Sequence, residues 1–141
     1  MDKLEADKLE LIEQALAARE NSYCPYSGYS VGAALLTGDG RVFCGCNIEN
    51  AGYSPTLCAE RAAMAQAVSA GQRDFVLLAV AGGPEGRAPE EYFWPCGVCR
   101  QWLAEFCPPE FPVLTAKSRD DYQEVTLGQL LPHAFSPQTL T

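Results

Sequence analysis

The run Phe75-Val76-Leu77-Leu78-Ala79-Val80-Ala81 carries no polar side chain, and a short, wholly apolar run bounded by breakers reads as a buried strand. Its seven residues fall far short of the roughly twenty needed to span a bilayer. Downstream, Gly82, Gly83, Pro84, Gly86 and Pro89 predict a long loop as far as Trp94, of a length that is usually functional or mobile. A helix is expected from about Cys96 to Phe106, a strand over Val113–Lys117, and a last short helix capped by Thr126, running through Leu131 and stopped by Pro132. Upstream, an alanine-rich stretch from Thr56 to Ala70, ended by Gly71, predicts a helix beginning close to Cys58. Before it lies a loop containing Asn50, Gly52, Ser54 and Pro55. Val31–Leu36 and Arg41–Ile48 flank the turn signal Gly38-Asp39-Gly40 and read as a β-hairpin. Leu4–Arg19 places Leu9, Ile12 and Leu16 among charged residues at helical spacing, and Asn21, Ser22 and Pro25 end that helix. The order αββαβαβα, without repeat or linker, implies an α/β fold: one domain over residues 1–141, with a mixed sheet covered by helices on both faces in a three-layer α/β/α sandwich.

Composition narrows the function. The 141 residues hold 48% apolar and 20% charged side chains, an ordinary globular balance. Ten Lys and Arg against eighteen Asp and Glu leave a net charge of −8, and the scattered cations form no stripe on which a nucleic acid could displace counterions. No spanning segment or signal peptide is expected, because Asp2, Lys3, Glu5, Asp7 and Lys8 occupy the start. Seven cysteines, an odd number, point to metal or catalytic use in a reducing cytoplasm rather than to a disulfide scaffold. The sole histidine, His133, sits in the terminal stretch and argues against a serine or cysteine hydrolase relay.

The sharpest local signal is Pro95-Cys96-Gly97-Val98-Cys99. Two cysteines three apart in the first turn of a helix can aim both sulfurs at one ion, although the same spacing serves redox dithiols and zinc ribbons. Cys58 and Glu60 open the other well-marked helix, so the chain reads CxE and then PCxxC. This is similar to the zinc-deaminase signature with Cys in place of its first His. Three thiolates from Cys58, Cys96 and Cys99 leave tetrahedral zinc one open position for water, with Zn–S bonds of about 2.3 Å. Glu60 is then free to move protons, and Arg61 can offset the excess thiolate charge from behind the metal ligands. A competing arrangement sets Cys44 and Cys46, two apart on a strand and so on one face, with Cys96 and Cys99 in a closed structural site. Cys24 and Cys107 read as small buried residues.

The whole chain resembles the cytidine deaminases, in particular their short bacterial homotetrameric type. The resemblance rests on Cys58-Ala59-Glu60-Arg61 and Pro95-Cys96-Gly97-Val98-Cys99-Arg100-Gln101, together with Pro25-Tyr26-Ser27, Val31-Gly32-Ala33-Ala34-Leu35 and Gly45-Cys46-Asn47-Ile48-Glu49-Asn50-Ala51. It implies one zinc per chain and a pyrimidine nucleoside as substrate. Asn47 and Glu49 are implied to bind the ribose 3′-hydroxyl, the Ala59 amide the pyrimidine carbonyl, and Glu60 is implied to be the proton shuttle. Tyr29, Ala51 and Trp94 join the expected substrate-binding set, with Tyr53 and Phe135 reaching in from neighbouring subunits, and Gln101 stands with Arg61 behind the metal ligands. Two residues depart from the family pattern: Tyr29 stands where Phe is expected, and the loop before Pro95 is long and ends Tyr92-Phe93-Trp94. The activity expected is hydrolysis of cytidine or 2′-deoxycytidine to the uridine and ammonia. Its rivals are a deaminase of another aminated heterocycle, a polynucleotide deaminase, and a zinc module without activity.

Overall fold

The computed structural model describes residues 1–141. Five strands form one mixed sheet in the order β2-β1-β3-β4-β5: β1 (Tyr29–Thr37), β2 (Val42–Cys46), β3 (Phe75–Pro84), β4 (Pro112–Ser118) and β5 (Asp121–Thr126). The apolar run lies in the central strand, antiparallel to β1 and parallel to β4. Alternation in β1 and β3 gives the sheet two apolar faces. Ala34, Leu77 and Ala79 meet Leu11, Ile12 and Ala15 of α1 (Lys3–Ala18) on one side. Ala33, Leu35, Leu78 and Val80 meet Ala59, Ala63 and Met64 of α2 (Ala59–Ser69) and Leu103 of α3 (Gly97–Phe106) on the other. The result is the three-layer α/β/α arrangement expected.

Local chemistry sets the element ends. Asp2 caps α1 by accepting from the Glu5 amide at 2.8 Å. Gly40 takes a left-handed φ of 89° in the β1–β2 turn, which a residue lacking Cβ adopts without strain. Thr126 and Gln129 form a reciprocal capping box on α4 (Leu127–Leu130).

Several boundaries differ from the sequence reading. The first helix ends at Ala18 and tightens into a 3₁₀ turn over Arg19–Asn21, β2 stops at Cys46, and α2 starts at Ala59 with Cys58 as its N-cap. β5 was not expected. Its Asp121, Gln123 and Glu124 are exposed, so this edge strand lacks the apolar alternation that marks a strand, and pairing with β4 holds it. Beyond the last helix expected from the sequence, the terminal stretch forms the short α5 (Pro137–Leu140), with Ser136 and Thr139 in a capping box.

The long loop is also shorter and firmer than its composition implies, because β3 continues through Gly82 and Gly83 to Pro84. Phe93 packs over Gly82, where a Cβ would sit 2.8 Å from the ring. The Phe93 carbonyl accepts from Thr115 Oγ1 at 2.5 Å, and the Tyr92 hydroxyl donates to Asp121. Arg19 donates to the carbonyls of Ser30, Pro84 and Arg87, tying the end of α1 to the start of this loop. No helix is long and apolar enough to cross a membrane.

Candidate metal centre

Two helix N-termini on the same side of the sheet build the site. Cys58 is the N-cap of α2, Cys96 the N-cap of α3, and Cys99 lies in the first turn of α3. Their sulfurs stand 3.6 Å apart for Cys58 and Cys96 and 3.4 Å for Cys96 and Cys99, and all three lie within 4.8 Å of one another. Tetrahedral bonds of about 2.3 Å to zinc place sulfurs about 3.8 Å apart, so the three thiols fit that ion. The positive ends of both helices favour thiolates here. In the metal-free site the Cys58 thiol is pulled down to about 5, first by the Cys99 thiol and then by Arg61, whose guanidinium donates to Cys58 Sγ at 3.2 Å.

Glu60 is wholly buried, and neither carboxylate oxygen has a hydrogen-bond partner. Burial pushes its carboxyl up to about 7. A buried carboxyl group with no donor is costly to keep unless something else engages it, and Glu60 lies two residues from Cys58, in the first turn of α2. Arg61 Nε is likewise buried without a partner.

The four-cysteine alternative does not form. Gly45 faces α2, so its neighbours Cys44 and Cys46 face the α1 side. There the Cys44 thiol lies 3.5 Å from Gln14 Oε1. Cys24 and Cys107 are buried, and burial raises both thiols, Cys107 to about 12.

The other sequence-selected residues fall into two groups. Near Cys58 the chain makes a short antiparallel pairing in which Ile48 and Leu57 exchange backbone hydrogen bonds at 2.9 Å, so Asn47 stands opposite Cys58 in register. Asn47 Oδ1 accepts from the Val31 amide at 2.9 Å and its Nδ2 donates to the Tyr29 carbonyl at 2.8 Å, which leaves one amide hydrogen free. Glu49 accepts from the amides of Tyr26 and Ser27 and from the Ser27 hydroxyl. Tyr29 sets its ring 6.2 Å from that of Phe93, and burial raises its phenol. Ala59 opens α2, where amides lack intrahelical partners.

The second group is exposed in the isolated chain: Ala51, Tyr53 at 88%, Trp94 at 40% and Phe135 at 58%. Gln101 does not reach a ligand sulfur; its Nε2 donates to the Phe135 carbonyl at 2.7 Å, so it ties α3 to the terminal segment. Sequence reasoning gave no role to Ser27 beyond its place in a motif. It also missed Arg100, which donates to the carbonyls of Pro95 and Leu130 at 2.6 Å each. A small residue in a turn and an arginine in a helix carry no signal of such partners.

Comparison with known proteins follows the same lines. Residues 5–115 match the family model described as the cytidine and deoxycytidylate deaminase zinc-binding region. The cytidine deaminase of Sporosarcina psychrophila is 48% identical over 135 residues, 96% of each chain. That of Halalkalibacterium halodurans is 46% identical over 134 residues, 95% of this chain and 98% of the relative. Among solved structures, the cytidine deaminase of Burkholderia pseudomallei superposes with a TM-score of 0.81 at 43% identity, over 96% of this chain and 100% of that one.

Proposed function

This chain belongs to the family of cytidine and deoxycytidylate deaminases with a zinc-binding region, and from that premise we propose its reaction and the part each residue plays. It is a zinc-dependent hydrolase that converts cytidine and 2′-deoxycytidine, with water, to uridine and 2′-deoxyuridine plus ammonia, a step of pyrimidine salvage. The observation that carries this reading is the buried, partnerless Glu60 carboxylate beside the three converging thiols.

Cys58, Cys96 and Cys99 hold the ion, which when bound acidifies water for attack at C4 of the base. Glu60 accepts one proton from that water and delivers it to the ring nitrogen as the oxygen bonds to C4; it then collects the proton left on that oxygen and passes it to the amine, so that the C4–N bond breaks, ammonia leaves and a carbonyl remains. In the metal-free site burial pushes its carboxyl up to about 7, and a group tuned toward neutral pH exchanges protons in both directions readily. Three thiolates against a divalent ion leave an excess negative charge, which Arg61 reduces by donating to Cys58 Sγ.

The sugar end belongs to Asn47 and Glu49, and the Ala59 amide faces the pyrimidine carbonyl. The Trp94 carbonyl accepts from the substrate's amino group, and Tyr29, with Phe93 behind it, walls the base. Ala51 lines the sugar side. Tyr53 and Phe135, exposed here, act on neighbouring sites of a cytoplasmic homotetramer with composite active sites, and Gln101 holds the Phe135 backbone for that contact. Ultraviolet-monitored turnover of cytidine, with and without a chelator, tests metal, reaction and substrate class together. Turnover that survives removal of the metal refutes the reading.

A further inference from the structure

We propose that Ser27 is a positioning residue that restricts the Glu49 carboxylate to a single sugar hydroxyl, the 3′-hydroxyl of the nucleoside. The proposal rests on the sugar-binding reading of Glu49 given above and adds the group that gives that carboxylate its direction. Glu49 Oε1 accepts from the Tyr26 amide at 3.0 Å and the Ser27 amide at 3.1 Å, which fills both of its lone-pair positions. Glu49 Oε2 accepts from Ser27 Oγ at 2.5 Å, which leaves one lone-pair position on the whole carboxylate. The hydroxyl has no freedom to turn elsewhere, because Ser27 Oγ itself accepts from the Tyr29 amide at 3.0 Å, so its own hydrogen is committed to Glu49.

Glu49 also lines a cavity of about 320 Å³ together with Tyr26, Ser27, Asn50, Tyr53 and Thr56, which gives a ligand access to that carboxylate. The Ile48–Leu57 pairing fixes Glu49 opposite Thr56, on the segment that runs on into Cys58, so the cavity and the metal ligands share a rigid frame. The three donors also hold the Glu49 carboxyl below its ordinary range, with the Ser27 hydroxyl as the largest cause, and it accepts as an anion. An ionised carboxylate with one open lone pair takes one hydroxyl donor in one direction. Without Ser27 Oγ, Oε2 is free to turn to water, and the sugar loses a preorganised acceptor while the zinc end is untouched.

The experiment measures kcat and KM of the zinc-loaded enzyme for cytidine, 2′-deoxycytidine and 2′,3′-dideoxycytidine, in wild type, Ser27→Ala and Ser27→Thr. Dissociation constants for uridine and 2′,3′-dideoxyuridine are measured beside them. Ser27→Ala should raise KM for the two substrates bearing a 3′-hydroxyl by about tenfold, as expected for weakening one charge-assisted hydrogen bond, with kcat little changed. It should leave the dideoxynucleoside, which has no hydroxyl to present, at its wild-type KM, and uridine should weaken relative to dideoxyuridine in step. Ser27→Thr, which keeps the hydroxyl, should restore wild-type values. Equal losses on all three substrates overturn the proposal in favour of a general structural role through Tyr29. No loss on any substrate overturns it as well, and a loss confined to cytidine assigns the carboxylate to the 2′-hydroxyl instead. A wild-type enzyme that turns over none of the three overturns the deaminase reading itself, and the proposal with it.

Discussion

Gly45→Ala puts one methyl group where β2 crosses the start of α2, and it should damage the metal centre from outside. A Cβ at Gly45 would stand 2.5 Å from the Ala59 carbonyl oxygen, 2.5 Å from the Ala63 nitrogen and 2.8 Å from Ala62 Cβ. The first two atoms are the acceptor and donor positions of the first full turn of α2, so no flexible side chain can move aside. Ordinary contact begins at 3.4 Å, so the helix start must retreat from β2 by about 0.9 Å. Cys58 and Glu60 ride on that turn. Overpacking of this kind costs about 1–3 kcal/mol, which for a chain of this size lowers the thermal midpoint by roughly 2–4 °C per kcal/mol. Misplacing a reacting group by about 1 Å can cost about a hundredfold in rate. The assay measures zinc per chain, thermal midpoint and kcat/KM for cytidine. Gly97→Ala serves as the counterpart, since a Cβ there meets nothing within 4 Å and should leave metal content and midpoint intact. Wild-type zinc content, midpoint and kcat/KM in Gly45→Ala would refute the claim that this contact sets the site.

Glu60→Gln should keep zinc and lose turnover by about 10²–10⁴-fold; retention of a tenth of wild-type kcat would remove Glu60 from the proton path. In metal-free protein the same substitution should change the pH dependence of stability. The folded state holds the Glu60 proton up to about 7 against 4.5 for an ordinary carboxyl, so this group's contribution is fully present below about pH 4.5 and is lost as pH rises through about 7, by about 3 kcal/mol. Urea midpoints across that window should fall more steeply for wild type than for Glu60→Gln, and parallel curves would contradict the burial argument. Cys44→Ala and Cys46→Ala should leave one zinc per chain, since both face α1; metal loss in either would point back to a four-cysteine site. Arg61→Ala should lower zinc affinity or turnover by about 10–100-fold while uridine still binds, and an unchanged rate would reduce Arg61 to a packing role. Truncation after His133 removes Phe135; both the mass in solution and cytidine turnover should fall, whereas a fully active monomer before truncation would dispose of composite sites.

The helices that carry the metal ligands were legible in the sequence because their signals are local. An alanine-rich run stopped by Gly71, and a CxxC pair behind Pro95, depend only on backbone preferences and on the 3.6-residue turn. The apolar run at Phe75 likewise declared a buried strand. The candidate ligands were legible for the same reason: CxE and CxxC at two helix starts are local patterns, and each places its cysteines at a helix N-terminus.

Tertiary structure decided whatever depends on partners distant in sequence. β5 has only Tyr122 and Val125 to pack on the core, one on each face of the sheet, and is a strand because β4 offers it an edge, a fact no window of sequence contains. Whether Cys96 and Cys99 meet Cys58 or Cys44 and Cys46 turned on which face of the sheet each occupies, and a residue's face follows from the register of β2 against β1 and from α2 packing on Gly45. The unpaired Glu60 carboxylate and the Glu49 carboxylate with its three donors are the same residue type in the sequence. Only burial without donors in one case, and three donors from the Tyr26–Ser27 turn in the other, separates a carboxyl pushed up toward neutral pH from one held as an anion. Residue identity sets which protons a side chain can exchange, and the donors and solvent that the fold leaves around it set which of them it will.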